Sequence, residues 1–180
     1  MEGNRQTDNR EGGMDQGSRL EMAIRQIEFA RQYTESLLAD LTDEEWLRQP
    51  AGAATHIAWQ VGHLAMAQYG LCLFRIRGRR EIDLELMSSR FRKRFSRGTT
   101  PSQDGQPPVQ EVRDVFHRVH AQALVELPAY TEEILAEPID EPYAVSADKW
   151  GALWFCSHHE MLHAGQIGLL RRQLGKSPLR

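Results

Sequence analysis

Near its C-terminus the chain reads His159-Glu160-Met161-Leu162-His163. On a helix, residues four apart lie on one face, one turn above the other. Both imidazoles can therefore reach a single divalent ion. The same five residues match H-E-x-x-H, in which two histidines hold zinc and the glutamate serves as general base of a metalloprotease. Two histidines are only part of a metal site, which needs at least one further ligand.

The protease form finds no third ligand. A zincin takes it C-terminal to the motif, and Ala164 to Arg180 holds no His, Asp or Glu. In the extended form, Gln166 and Leu169 stand where a glycine and a third histidine belong. Glu160 then reads as an exposed helix residue, with a role as base near a metal as the alternative.

The remaining histidines are His56, His63, His117, His120 and His158. His158 is rotated about 100° from its neighbour and shares its metal poorly. His56 and His63 are separated by two helical turns, about 10 Å, so at most one of them joins the site. His63 is the stronger candidate. It sits mid-helix between Val61, Gly62 and Leu64, where a buried imidazole without a partner costs free energy. His56 lies at a helix start where exposure is easy, and His117 and His120 stand among polar residues and are expected to be exposed. A metal site built from His63, His159 and His163 on two helices is the leading reading. Cys156, three residues before His159, is a buried core thiol or, alternatively, a soft extra ligand or a reactive thiol; Cys72 reads as core.

The elements that must carry these residues are helical. Leu20, Ile24, Ile27, Ala30, Tyr33, Leu37 and Leu38 recur at helical spacing over 18–39, with Ser18 and Glu21 as a capping box. A short helical turn over 41–47 stops before Pro50. A second long helix over 55–77 carries Ile57, Val61, Leu64, Ala65, Gln68, Leu71, Cys72 and Phe74, and Gly78 ends it. The connection over 79–97 is basic, with Arg90, Arg92, Lys93, Arg94 and Arg97, and has room for one short helix. It reads as a solvated linker, or alternatively as a contact for an anionic substrate. A loop over 98–108 leads to a third helix over 109–135, which Pro128 bends or breaks. Pro138 to Pro142 forms another loop. Ser146 to Asp148 can cap a fourth helix that closes at Gly175. Four helices with two long connections predict an all-α four-helix bundle with a crossover.

A chain of 180 residues suits one domain. The net charge of −3 and pI near 6.2 argue against nucleic acid as the main partner. No apolar run approaches the roughly 20 residues that span a bilayer, so no membrane association is expected. Two cysteines in helical patterns argue against a disulfide scaffold and for the cytoplasm. Residues 1–17 are polar, with no signal-peptide core, and predict a disordered tail; 18–176 form the bundle domain and 177–180 a short C-terminal tail.

Trp59-Gln60-Val61-Gly62-His63-Leu64 resembles the W-x-x-x-H-L segment of the DinB/YfiT-like family. His159 to Ile167, followed by Leu170-Arg171-Arg172-Gln173-Leu174-Gly175, resembles that family's H-x-x-x-H-x-G-Q-I ending and basic helix end. The resemblance spans 18–176. It implies a four-helix bundle with a crossover, a three-histidine site for a divalent ion (zinc, nickel or iron) at His63, His159 and His163, and a homodimer. Tryptophans 46, 150 and 154 are a second ground for a dimer, unless they fill the core of one chain. The resemblance further implies a small-molecule substrate, with an S-transferase using a low-molecular-weight thiol as the leading activity. A metal-dependent hydrolase and a non-enzymatic, metal-stabilised binding or dimer module are the alternatives. The long polar N-terminus and the basic 79–97 connection depart from the family pattern.

Overall fold

The structure, a computed structural model, describes residues 16–101, 106–139 and 147–179, with side chains from residue 19 onward. Most of the expected N-terminal tail, and the expected loop beyond Ile139, lie outside the described residues. Residues 16 and 17, assigned to the tail in sequence, already belong to the first helix. Ser18 therefore sits inside that helix rather than at its cap.

The helices are α1 (Gln16–Leu38), α2 (Asp43–Leu47), α3 (Ile57–Gln68), α4 (Arg75–Arg77), α5 (Asp83–Leu86), α6 (Ser89–Arg94), α7 (Val109–Glu126), α8 (Glu132–Ala136) and α9 (Lys149–Gln173). Among the described residues there is no strand, only an isolated bridge between Pro138 and Asp148. No described helix is long and apolar enough to cross a membrane.

Four long rods make the bundle, and their cross-contacts fix its direction. Arg19 lies over Trp150, Arg31 binds Glu160 and the Leu37 carbonyl accepts from Arg171, so α1 and α9 run parallel. Gln60 meets Gln166 and His63 meets His159, so α3 and α9 run antiparallel. Gln68 meets His120 and Arg77 meets Glu126, so α3 and α7 run parallel. Parallel neighbours need a connection that returns along the whole bundle. The segment carrying α5 and α6 supplies it, which is the crossover expected from the long basic connection. It holds two short helices where one was expected. Arg90, Lys93 and Arg97 on it face solvent, while Arg92 and Arg94 are half-buried.

Local chemistry sets most of the ends. Thr42 and Glu45 form a capping box at α2, and Asp148 accepts from Gly151 N at 2.7 Å to start α9. Gly175, at φ +88°, ends the chain's last rod. Pro128 stops α7: a 3₁₀ turn over Leu127–Ala129 follows, and α8 begins only after Thr131.

The second rod differs from its expected form. α3 passes into a π-helical segment, Tyr69–Phe74, before the last turn α4. Bonding from i to i+5 turns the chain through less rotation per residue than an α-helix does. The buried face therefore shifts by one residue. Leu73 is fully buried, whereas Phe74, placed in the apolar stripe from sequence, is 45 % exposed.

Trp46 and Trp150 are buried inside the single chain, and Trp154 is half-buried. These tryptophans fill the core of one molecule and leave little aromatic surface over for a second.

Candidate metal centre

α3 and α9 cross where their antiparallel faces bring three imidazoles together. One ring nitrogen from each of His63, His159 and His163 lies within 4.8 Å of the other two. Tetrahedral zinc with bonds of about 2.0–2.1 Å would place such nitrogens about 3.4 Å apart, so small side-chain rotations close the cluster on an ion. The three residues singled out from sequence thus meet at one point, and the others stand elsewhere. His56 caps α3, its Nδ1 accepting from Trp59 N at 3.1 Å. It is buried rather than exposed, because a side chain that closes a helix end packs against that end. His117 is exposed beside Glu35. His120 is half-buried against Gln68, contrary to the expected exposure. His158 points outward and binds the Trp154 carbonyl.

A sequence model of the DinB superfamily matches residues 26–167. The chain belongs to the DinB superfamily. Its fold is also that of a solved structure, a conserved protein from Enterococcus faecalis. The TM-score is 0.63 at 19 % identity, covering 87 % of this chain and 97 % of the other. No curated protein matches the chain.

In this DinB protein two of the imidazoles are held from behind. His63 Nδ1 lies 2.7 Å from the Phe95 carbonyl oxygen, which can only accept, so Nδ1 carries the proton and Nε2 is left free. Gly62 makes this possible. A β-carbon there would stand 2.5 Å from the Phe95 ring, so only glycine lets the crossover approach α3 so closely. His163 Nδ1 donates to Gln60 Oε1 in the same way. Trp59 stacks on His63, with centroids 5.0 Å apart and planes 5° from parallel, and anchors its own indole on Thr99. His159 makes no hydrogen bond to a described residue and packs against Phe155.

Burial keeps all three imidazoles neutral. It lowers the pKa of His63, and it takes His159 to about 4 and His163 to about 3, with neighbouring imidazoles adding to both of the latter shifts. Neutral imidazole is the form that binds metal. The donor chemistry, the free Nε2 atoms and the spacing all fit a divalent ion.

Glu160 is only 2 % exposed, which corrects the expectation of an exposed residue. It does not join the cluster of the three imidazoles. Its carboxylate faces Arg31 on α1, with Arg31 Nε donating to Oε1 at 2.9 Å and Nη2 to Oε2 at 3.3 Å. Cys156 lies against Cys72 instead of the imidazoles. A hydrogen bond with the Cys72 thiol, then burial, pushes its pKa well up, which makes it an inert core thiol. Sequence reasoning missed Gln60, Phe95 and Arg31. Gly62 in the middle of an apolar helix was the one local signal that something approaches there.

Proposed function

We propose that this protein is a metal-dependent S-transferase that activates a low-molecular-weight thiol. The reading rests mainly on one observation. Among the described residues, no carboxylate or thiol joins His63, His159 and His163. Three neutral donors leave an ion's charge uncompensated and a coordination position open, as in catalytic rather than structural sites. An ion held there lowers the pKa of a thiol or water that reaches it, and so supplies a nucleophile near neutral pH.

The chain's own residues bind and orient. His63 and His163 present Nε2 because their Nδ1 protons are engaged behind them. Trp59 fixes the plane of His63 and excludes water from that side. Glu160 and Cys156 stay committed to Arg31 and Cys72, so neither competes for the ion.

Element analysis of the untagged protein, followed by assays with and without small thiols, tests the reading. We expect about one divalent ion per chain, and consumption of an electrophile that requires both the thiol and the ion. Turnover of an ester or amide without any thiol would instead establish the hydrolase. Tightly held metal with no exchangeable position would leave a structural module.

A homodimer in the cytoplasm belongs to the same proposal. Leu162 and Leu169, 62 % and 50 % exposed on the outer side of α9, offer apolar contact for a second copy. Light scattering should give twice the 20.6 kDa chain mass, and a monomer at micromolar concentration would remove this part.

A further inference from the structure

We infer that Gln60 is a positioning residue for the metal centre, holding His163 in the ligating tautomer through Nδ1–H, and that Gln166 locks Gln60 in turn. The inference rests on the metal-site reading above and adds the residues that make the third imidazole a ligand.

Gln60 and Gln166 occupy matching places on the two antiparallel helices. Gln60 stands one turn before His63 on α3, and Gln166 one turn after His163 on α9. α3 therefore carries one candidate ligand and one amide, α9 carries two candidate ligands and one amide, and the antiparallel crossing pairs the amide of α3 with His163 of α9. The Gln60 side chain is almost fully buried, at 1 % exposure for the residue. A buried amide needs partners, and this one has both. Its Oε1 accepts from His163 Nδ1, and its Nε2 donates to Gln166 Oε1 at 2.8 Å.

The orientation decides the chemistry. With Oε1 toward the imidazole, the proton sits on Nδ1 and Nε2 offers its lone pair to the ion. Turning both amides over would leave Nδ1 as the acceptor, place the proton on Nε2 and block coordination there. The two arrangements put the proton on opposite ring nitrogens, and a side chain that can only accept separates them. Glutamate does so, because a carboxylate accepts but does not donate. Outer-shell partners of this kind fix a ligand's ring and raise its basicity.

The test compares Gln60→Leu, Gln60→Glu and Gln166→Leu with the parent. Zinc affinity is read by chelator competition, the cobalt(II) electronic spectrum reports ligand geometry, and melting is followed with and without metal. Gln60→Leu should bind zinc roughly 10–100-fold more weakly, with an altered cobalt spectrum. Gln60→Glu should bind zinc within a few-fold of the parent and Gln166→Leu should fall between, whereas a large gain in Gln60→Glu would mean that the parent holds the reversed, blocked arrangement. A purely structural role would lower the melting temperature of both forms equally and leave affinity and spectrum unchanged. That result, or Gln60→Glu binding as poorly as Gln60→Leu, would overturn the inference while leaving the metal centre intact. Should Gln60→Leu not fold, the glutamate and Gln166 variants still decide. A parent that binds neither zinc nor cobalt would remove the metal reading, and this inference with it.

Discussion

A His63→Ala variant is expected to lose most of its zinc affinity and the stability that zinc confers. His159 and His163 come from one helix and alone make a two-point clamp. His63 comes from α3, and its ring centroid lies 5.3 Å from that of His159 and 4.9 Å from that of His163. It turns the clamp into a tripod and ties two rods together. An ion that binds only the folded state stabilises it by about 4 kcal/mol at a thousandfold excess over Kd. Losing a direct ligand should weaken binding by at least the roughly 100-fold upper end for outer-shell changes, which removes about 2.7 kcal/mol of that. Denaturant unfolding with and without chelator measures it.

His117→Ala and His158→Ala should change neither quantity. His56→Ala should keep its zinc but lose about 1 kcal/mol in both forms, because His56 caps α3. The same measurement at lower pH has a defined sign. The unfolded chain takes up histidine protons below about 6.5, while His159 and His163 in the fold resist until about 4 and 3. The unfolded state binds more protons in that window, so stability is full above pH 6.5 and falls as pH drops toward 4. Full zinc retention by His63→Ala, with loss of zinc in His56→Ala, would mean that the ligand set is wrong.

The histidine cluster was legible because it is a local pattern plus one anomaly. His159 and His163 announce themselves by spacing, and His63 by being polar on an apolar helix. The helix ends were legible where one residue type makes them, as at Asp148, Pro128 and Gly175. What stayed hidden depends on pairs far apart in sequence. Nothing near Phe95 says that its carbonyl will meet His63, and nothing near Glu160 says that Arg31 will bury it. The π-helical segment was hidden for another reason. Tyr69 to Phe74 is as apolar as the helix before it, so composition could not show that the face shifts from Phe74 to Leu73. The parallel pairing of α1 with α9 was permitted by the long connections but fixed only by their cross-contacts.

The largest effect on stability away from the metal should come from breaking the buried Arg31–Glu160 pair. Arg31 is 1 % exposed, and its guanidinium joins three helices at one point. Besides the two bonds to Glu160 of α9, Nη1 donates to the Phe116 carbonyl of α7 at 2.8 Å and Nη2 to Gln68 Oε1 of α3 at 2.8 Å. The guanidinium also stacks over the Phe116 ring, 3.4 Å from its centroid. Desolvating two such groups is expensive, and their mutual attraction mainly offsets that cost. Arg31→Met therefore leaves the Glu160 carboxylate buried without its cation and should cost about 3–5 kcal/mol. The double variant Arg31→Met with Glu160→Met removes both charges and should recover most of this loss, since apolar replacements of buried pairs are often neutral. Because the Glu160 carboxylate binds Arg31 and stands outside the imidazole cluster, zinc affinity in the double variant should stay close to that of the parent. If the double variant were as unstable as the single one, the hydrogen bonds to Phe116 and Gln68 would be the dominant contribution instead of the ion pair. If it folded well but lost its zinc, the pair would be needed to set the rotation of α9 that points His159 and His163 at the same ion.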